Sequence, residues 1–439
     1  MQGIAASPVS RELGFRRRLG ARVDAVRQRS DVKSTRIGGR PRLTLALATL
    51  SPGSASIAAM PESHNGTRPL DMSTRSKTPL FEPEGAAPPG LTWNRRESPP
   101  LVSDFCHPLM FDRFHRPQPW GGRELAELFG QTLSRACPYG EFWEISGLPQ
   151  HPSRVISGPH SGVTLPELWS RSSRQLMGDN DPHNDDFPLL LKWLECRGFV
   201  SLQVHPDDGL ARQMTGERRG KSEASVVVSA GPTSRVYAGL KRGVTPRQFA
   251  TSLEQGRVLD CLHSFTPRVG DCISIPAGTV HATGGGLIVA EVQQASDATF
   301  RLHDWDRLGL DGRPRPLQVQ EALKAINWDQ GPVGPTVPRR RPDSGDGVER
   351  ERLLSTPHFR LDRYRVSRLW PSAHVGELTM WMVLEGEAEL QTADGEFRQS
   401  LGMGSSVMIP AGARDPAWTP VQPGGSVTLH CVRIGAGES

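Results

Sequence analysis

The sequence predicts a mainly β protein in which two small barrels follow one another, and three observations predict it. Its 439 residues include 46 Gly and 38 Pro, a composition suited to many turns and short strands. From Gly198 onward short apolar alternations dominate (FVSLQVH, SVVVSA, RVYAGL, CISIPAG, LIVAEVQQ), parted by Gly, Pro, Asp and Ser. Finally, VGDCISIPAGTVHA at 269–282 is echoed by LGMGSSVMIPAGARDPA at 401–417, with a Gly turn, an apolar strand and Ile-Pro-Ala-Gly in the same order. Two related β-barrels in one chain explain that repeat economically.

Taken from the N-terminus, residues 1–105 are Arg-rich and then Pro/Ser/Gly-rich with no sustained apolar period, which predicts a disordered or linker-like extension. Order is expected from Cys106. The region 106–330 forms the first barrel, with helix-like and buried-strand patches between Leu165 and Glu195. A short amphipathic helix is expected over Thr245–Glu254, where Thr245 can cap and Pro246 suits the first helical position. Residues 331–347 (GPVGPTVPRRRPDSGDG) read as a linker, and 348–439 as the second barrel.

The charge pattern narrows the partners. Residues 1–59 hold 11 Lys plus Arg and three acidic residues, a net of +8, so the whole-chain +5 leaves −3 for everything after them. The body of the protein therefore offers no electrostatic reason to expect nucleic acid. No apolar run approaches the roughly 18 to 20 residues of a membrane span. The six cysteines form no CxxC pair, which argues against a zinc ribbon or a disulfide framework and suits a reducing cytosol.

Four residues carry the chemistry. Gln203 and His205 stand at i and i+2, on one face of a strand, so both can reach one ion. Glu223 follows 18 residues later, and His281 closes the run that begins at Ile275. Two imidazoles, a carboxylate and an amide oxygen suit one Zn2+ per chain, with iron, manganese or cobalt as substitutes; the lack of thiolate argues against a closed structural site. A Gln-x-His on one strand, a carboxylate on a neighbour and a His after a Pro-Gly turn is the arrangement of a cupin metal site. The fold expected is thus a tandem of cupin (double-stranded β-helix, or jelly-roll) barrels with a few short helices.

With its neighbouring motifs the set resembles the type I mannose-6-phosphate isomerases, in their shorter bacterial form. The motifs are PWGG (119–122), EFWEISG (141–147), FPLLLKWLE (187–195), SLQVHPDD (201–208), GKSE (220–223), IPAGTVHA (275–282) and EVQQASDATFRLHDWDR (291–307). The resemblance implies a metal-dependent aldose-ketose isomerase that interconverts mannose 6-phosphate and fructose 6-phosphate through an enediolate, with a small sugar phosphate as its partner. It also implies that Arg301 is the active-site arginine, Glu291 a general base and Lys221 a catalytic or substrate-binding lysine. Read from the residues alone, Arg301 could instead pair with Asp297, Glu291 could orient a ligating histidine, and Lys192 could snorkel from a buried strand. Asp207 and Asp208 are expected to cap a turn.

The second barrel departs from the pattern. Five residues past Pro276 stands His281, whereas five past Pro410 stands Asp415, and no Gln-x-His pair precedes MVLEGEAEL. The metal is therefore expected in the first barrel alone. Two other readings stand beside the leading one: an isomerase of another hexose or hexose phosphate, and a non-catalytic sugar-binding cupin.

Overall fold

Short runs of alternating residues, each ended by Gly, Pro or a polar turn, fold as strands. In the first half they are β1 (Phe114–Gly122), β2 (Tyr139–Ser146), β3 (Leu189–Cys196), β4 (Leu202–Val204), β5 (Glu223–Ala230), β6 (Arg235–Leu240), β7 (Leu262–Phe265), β8 (Cys272–Ile275), β9 (His281–Gly284), β10 (Leu287–Gln294) and β11 (Phe300–His303). The second half adds β12 (Arg339–Arg340), β13 (Val348–Ser355), β14 (Phe359–Val366), β15 (Trp370–Pro371), β16 (Thr379–Glu385), β17 (Glu387–Gln391), β18 (Arg398–Gly402), β19 (Ser406–Ile409), β20 (Ala417–Pro420) and β21 (Val427–Ile434). This is a computed structural model; it describes residues 105–178, 186–341 and 345–435. The extension expected at the N-terminus lies outside the described residues but for its last position.

The two halves follow one plan. A six-stranded sheet of order β1-β2-β3-β10-β5-β8 faces a five-stranded sheet of order β11-β4-β9-β6-β7, and the second half repeats them as β12-β13-β14-β21-β16-β19 and β15-β20-β17-β18. The sequence repeat falls on equivalent pairs: Glu223 of β5 lies opposite Ile275 as Thr379 of β16 lies opposite Ile409.

Strand alternation decides what each face buries. On β5 and β10, Val227, Leu287 and Val289 point into the first barrel, while Ala224, Val226, Ile288, Ala290 and Val292 point out of it. The outward set packs with Leu353, Phe359, Leu361, Met380 and Met382 of the second half and with the helix Leu165–Met177, so the two barrels share a core. That helix starts at a capping box, Thr164 accepting from the Glu167 amide, and Trp169 is among its buried residues.

The helix Pro246–Glu254 forms where expected, with the Thr245 side chain accepting from the Gln248 amide. The segment read as a linker is laid along both barrels: the Val333 amide donates to Ala238, that of Thr336 to Cys272, and β12 pairs with β13. Among the described residues no helix is long and apolar enough to cross a membrane.

Candidate metal centre

Three β-strands, β4, β5 and β9, bring the predicted ligands together. Gln203 sits in the middle of β4 and pairs in register with His281, the first residue of β9, and with Arg301 on β11. The strand expected over FVSLQVH is only three residues long, so His205 stands just past its end, before Pro206, which has no amide to continue a ladder. Glu223 begins β5. His205 Nε2 lies 3.4 Å from Glu223 Oε2, His281 Nε2 lies 3.2 Å from Glu223 Oε1, and the Gln203 amide end is 3.2 Å and 3.5 Å from the two imidazole nitrogens.

The donors fit a cation. One ligand atom from each of His205, Glu223 and His281 falls within 4.8 Å of the others, and a tetrahedral shell of about 2.1 Å radius has edges of about 3.4 Å. Both imidazoles turn Nε2 inward because Nδ1 of His205 meets the Ala298 carbonyl at 2.9 Å and Nδ1 of His281 meets that of Thr279 at 2.9 Å. Burial, helped by the Lys221 ammonium, lowers His205 to about 3, which keeps it neutral and able to ligate. Burial opposes the charge on Glu223, but the Lys221 ammonium outweighs it and holds the carboxyl well below its ordinary range. Glu223 Oε2 is buried without a directed hydrogen bond. In Gln203 the Nε2 end faces the histidines and Oε1 accepts from Ser201 at 2.9 Å; a half-turn of the amide presents its oxygen instead.

Lys221 precedes β5 and reaches back into the cluster, its Nζ 2.9 Å from Glu223 Oε2 and 3.0 Å from His205 Nε2. Beyond it the barrel interior is a run of alternating charges. Lys192 is buried between Glu291 at 3.1 Å and Glu141 at 3.3 Å rather than snorkelling, and although burial disfavours its charge, the two carboxylates hold it protonated. Glu291 also accepts from Ser225 at 2.6 Å; burial and the nearby Glu223 raise its carboxyl above the ordinary range. It orients neither histidine, since backbone carbonyls already do so. Glu141 accepts from Trp143 and Gln118, each at 2.8 Å, and is held at about 2 because Lys192 and Arg116 outweigh its burial.

Arg301 lies beside Gln203 on β11, its NH1 donating to the Pro316 carbonyl at 3.4 Å. Asp297 receives a bidentate pair from Arg116 at 2.9 Å and 3.1 Å. Asp207 caps the helix Asp208–Met214 as expected, accepting from Leu210 at 2.8 Å. His303 packs edge-on against Trp305. Sequence reasoning missed Glu141, Arg116 and Ser225. Glu141 was inside a quoted motif, but nothing local marks which residues of β2 face Lys192 on β3.

The family model for the phosphomannose isomerase type I catalytic domain matches residues 112–223. Mannose-6-phosphate isomerase ManA of Bacillus subtilis (strain 168) is 29% identical over 308 residues, covering 70% of this chain and 93% of that protein. Probable mannose-6-phosphate isomerase GmuF of the same organism is 32% identical over 220 residues, covering 50% of this chain and 68% of the relative. The chain belongs to the type I phosphomannose isomerase family. The crystal structure of the mannose 6-phosphate isomerase from Bacillus subtilis superposes with a TM-score of 0.68 at 28% identity, covering 74% of this chain and 99% of that one. A variant of phosphomannose isomerase from Salmonella typhimurium, 16% identical with a TM-score of 0.60, shares the fold. Within the type I phosphomannose isomerase match fall Gln203, His205, Lys221 and Glu223.

Proposed function

We propose that the protein interconverts mannose 6-phosphate and fructose 6-phosphate, holding one Zn2+ per chain on Gln203, His205, Glu223 and His281. The observation that carries the reading is the convergence of two inward imidazoles, a carboxylate and an amide beside Lys221 and the Glu291–Lys192 pair. Family membership selects the substrate.

A bound divalent ion would supply Lewis acidity and a template for the sugar oxygens. The remaining work falls to side chains. Glu291, a buried carboxylate whose pKa burial and Glu223 raise above the ordinary range, removes the proton from C2 of the aldose and returns it to C1. In the same passage a proton arrives on O1 and leaves O2, and the Lys221 ammonium is placed to exchange it. Arg301 holds a fixed positive charge where the enediolate or the phosphate is anionic. The soluble sugar-phosphate substrate and six cysteines without a CxxC pair support a cytosolic setting.

The test is an assay of purified protein with each sugar phosphate before and after chelation, with metal analysis. Turnover should vanish with the metal and return on adding Zn2+. Absence of metal-dependent turnover with both substrates would sink the proposal.

A further inference from the structure

We propose that Gln294 and Asp208 form a positioning bridge that sets Lys221 in place against Glu223 and His205; the inference rests on the functional reading above, in which Lys221 serves the reaction.

Lys221 belongs to no strand. It sits in the strap 216–222, between the helix Asp208–Met214 and β5, and such a segment has no ladder to fix it. Its backbone is nevertheless bonded at every step. The Gly220 amide donates to Asp208 Oδ1 at 2.8 Å, the Lys221 amide to the Pro206 carbonyl at 3.0 Å, and the Ser222 amide to Gln294 Oε1 at 2.9 Å. Gln294 closes the circuit: its Nε2 donates to the same Asp208 Oδ1 at 2.9 Å, and its own amide donates to the Ser222 carbonyl at 3.1 Å. The Ser222 hydroxyl accepts from Ala277 at 3.1 Å, in the turn that leads to His281. Further back on the strap, Glu217 accepts from the Asp297 amide at 3.1 Å and from the Ser296 hydroxyl.

The approach of strap and turn is close. A Cβ at Gly220 would stand 2.4 Å from the backbone of Asp207, so any side chain there must push the strap away from the segment that bears His205. Gln294 is 3% exposed, and both ends of its amide are used within the bridge. It thus joins three segments that carry the site: 205–208, 220–223 and the end of β10. A long flexible lysine aimed from a loop would otherwise lose its place among many rotamers. With the backbone on either side held, its ammonium is presented to Glu223 and His205.

The experiment compares Gln294→Leu, Gln294→Glu and the swapped pair Asp208→Asn with Gln294→Glu in metal-loaded enzyme. Gln294→Leu removes both halves of the bridge, and Gln294→Glu opposes two carboxylates. In the swap, Gly220 and position 294 both face the one atom at Asp208 Oδ1, so the amide introduced at position 208 must turn to keep its oxygen on Gly220 and bring its nitrogen to the new carboxylate, which still accepts from Ser222. Measured well below each variant's Tm, the expected result is a fall in kcat of up to about 100-fold in both single variants, with KM and metal content close to wild type, and recovery of part of the loss in the swap. A purely structural role would lower metal content in step with activity, or cost activity only near the variant's Tm. Single variants that turn over normally, or whose loss of turnover follows metal content, would overturn the bridge. If the wild type turns over neither sugar phosphate, the functional reading fails by itself. Amide exchange then decides the bridge, since the Ser222 amide, which donates to Gln294, should exchange faster in Gln294→Leu than in wild type, and equal rates would overturn it.

Discussion

Each imidazole of the cluster is aimed by its own backbone carbonyl, so removing a ligand and removing a charge should have separable effects. His281→Ala leaves the cluster with one histidine and is expected to lose metal and turnover together. Arg301→Ala is expected to keep metal and lose turnover, with metal content by elemental analysis and kcat as the two readouts. Retained activity in the arginine variant would end its assigned role. Lys192 makes a different prediction. It is the buried cation between Glu141 and Glu291, so Lys192→Met leaves two buried carboxylates facing each other. A loss of about 3 to 5 kcal/mol in denaturant unfolding is expected; a change under about 1 kcal/mol would show that the network does not depend on it.

Elements position these residues through register and caps. The Gln-x-His spacing was legible because strand alternation is local, and so was the helix at Pro246, where Thr245 and Gln248 form the capping box. Glu195 was not legible as a cap. At the end of β3 it reaches 70 residues back to accept from the Leu125 amide at the start of the helix Glu124–Leu128. Burial raises its carboxyl to about 6 despite these amides. The folded state therefore prefers the protonated form. That preference contributes stability fully below the unfolded value of about 4.5 and loses it as pH rises through about 6. Glu195→Gln, which keeps an acceptor without the charge, should stabilise the protein by up to about 2 kcal/mol at pH 8 and by little at pH 4. Melting curves at both pH values check the difference, and equal shifts would contradict it.

At the scale of the whole molecule the repeated barrel has exchanged its polarity. In the first barrel, Ser225 pairs with Glu291 and Glu291 with Lys192; at the equivalent places of the second stand Trp381, Cys431 and Asp362. Thr379 replaces Glu223. Asp362 is fully buried and pairs with Arg350, Arg352 and Arg433, while Arg433 also reaches Glu377 at 3.1 Å. Burial would raise Asp362, but the arginines hold it below the ordinary carboxylate range. Its contribution is therefore complete above about pH 4 and lost as pH falls through its lower folded value. Asp362→Ala removes the carboxylate shared by three buried arginines, of which Arg433 keeps Glu377, and should cost about 3 to 5 kcal/mol at pH 7, a gap to wild type that narrows only below about pH 4. Metal content should match that of the wild type, because the first barrel is untouched.

The sequence by itself determined the class of fold, the repeat, the family and the four residues that converge in the first barrel, since these depend on strand alternation, turn composition and motif spacing, all local along the chain. Tertiary structure decided who touches whom. It gave Asp297 to Arg116, placed Lys192 between Glu141 and Glu291, left the histidines to the carbonyls of Ala298 and Thr279, laid the supposed linker along both barrels, and tied the Lys221 strap to β10 through Gln294. Those pairings join residues up to 181 positions apart. They follow from sheet order and from which strand face is buried, and neither quantity is written in any short stretch of sequence.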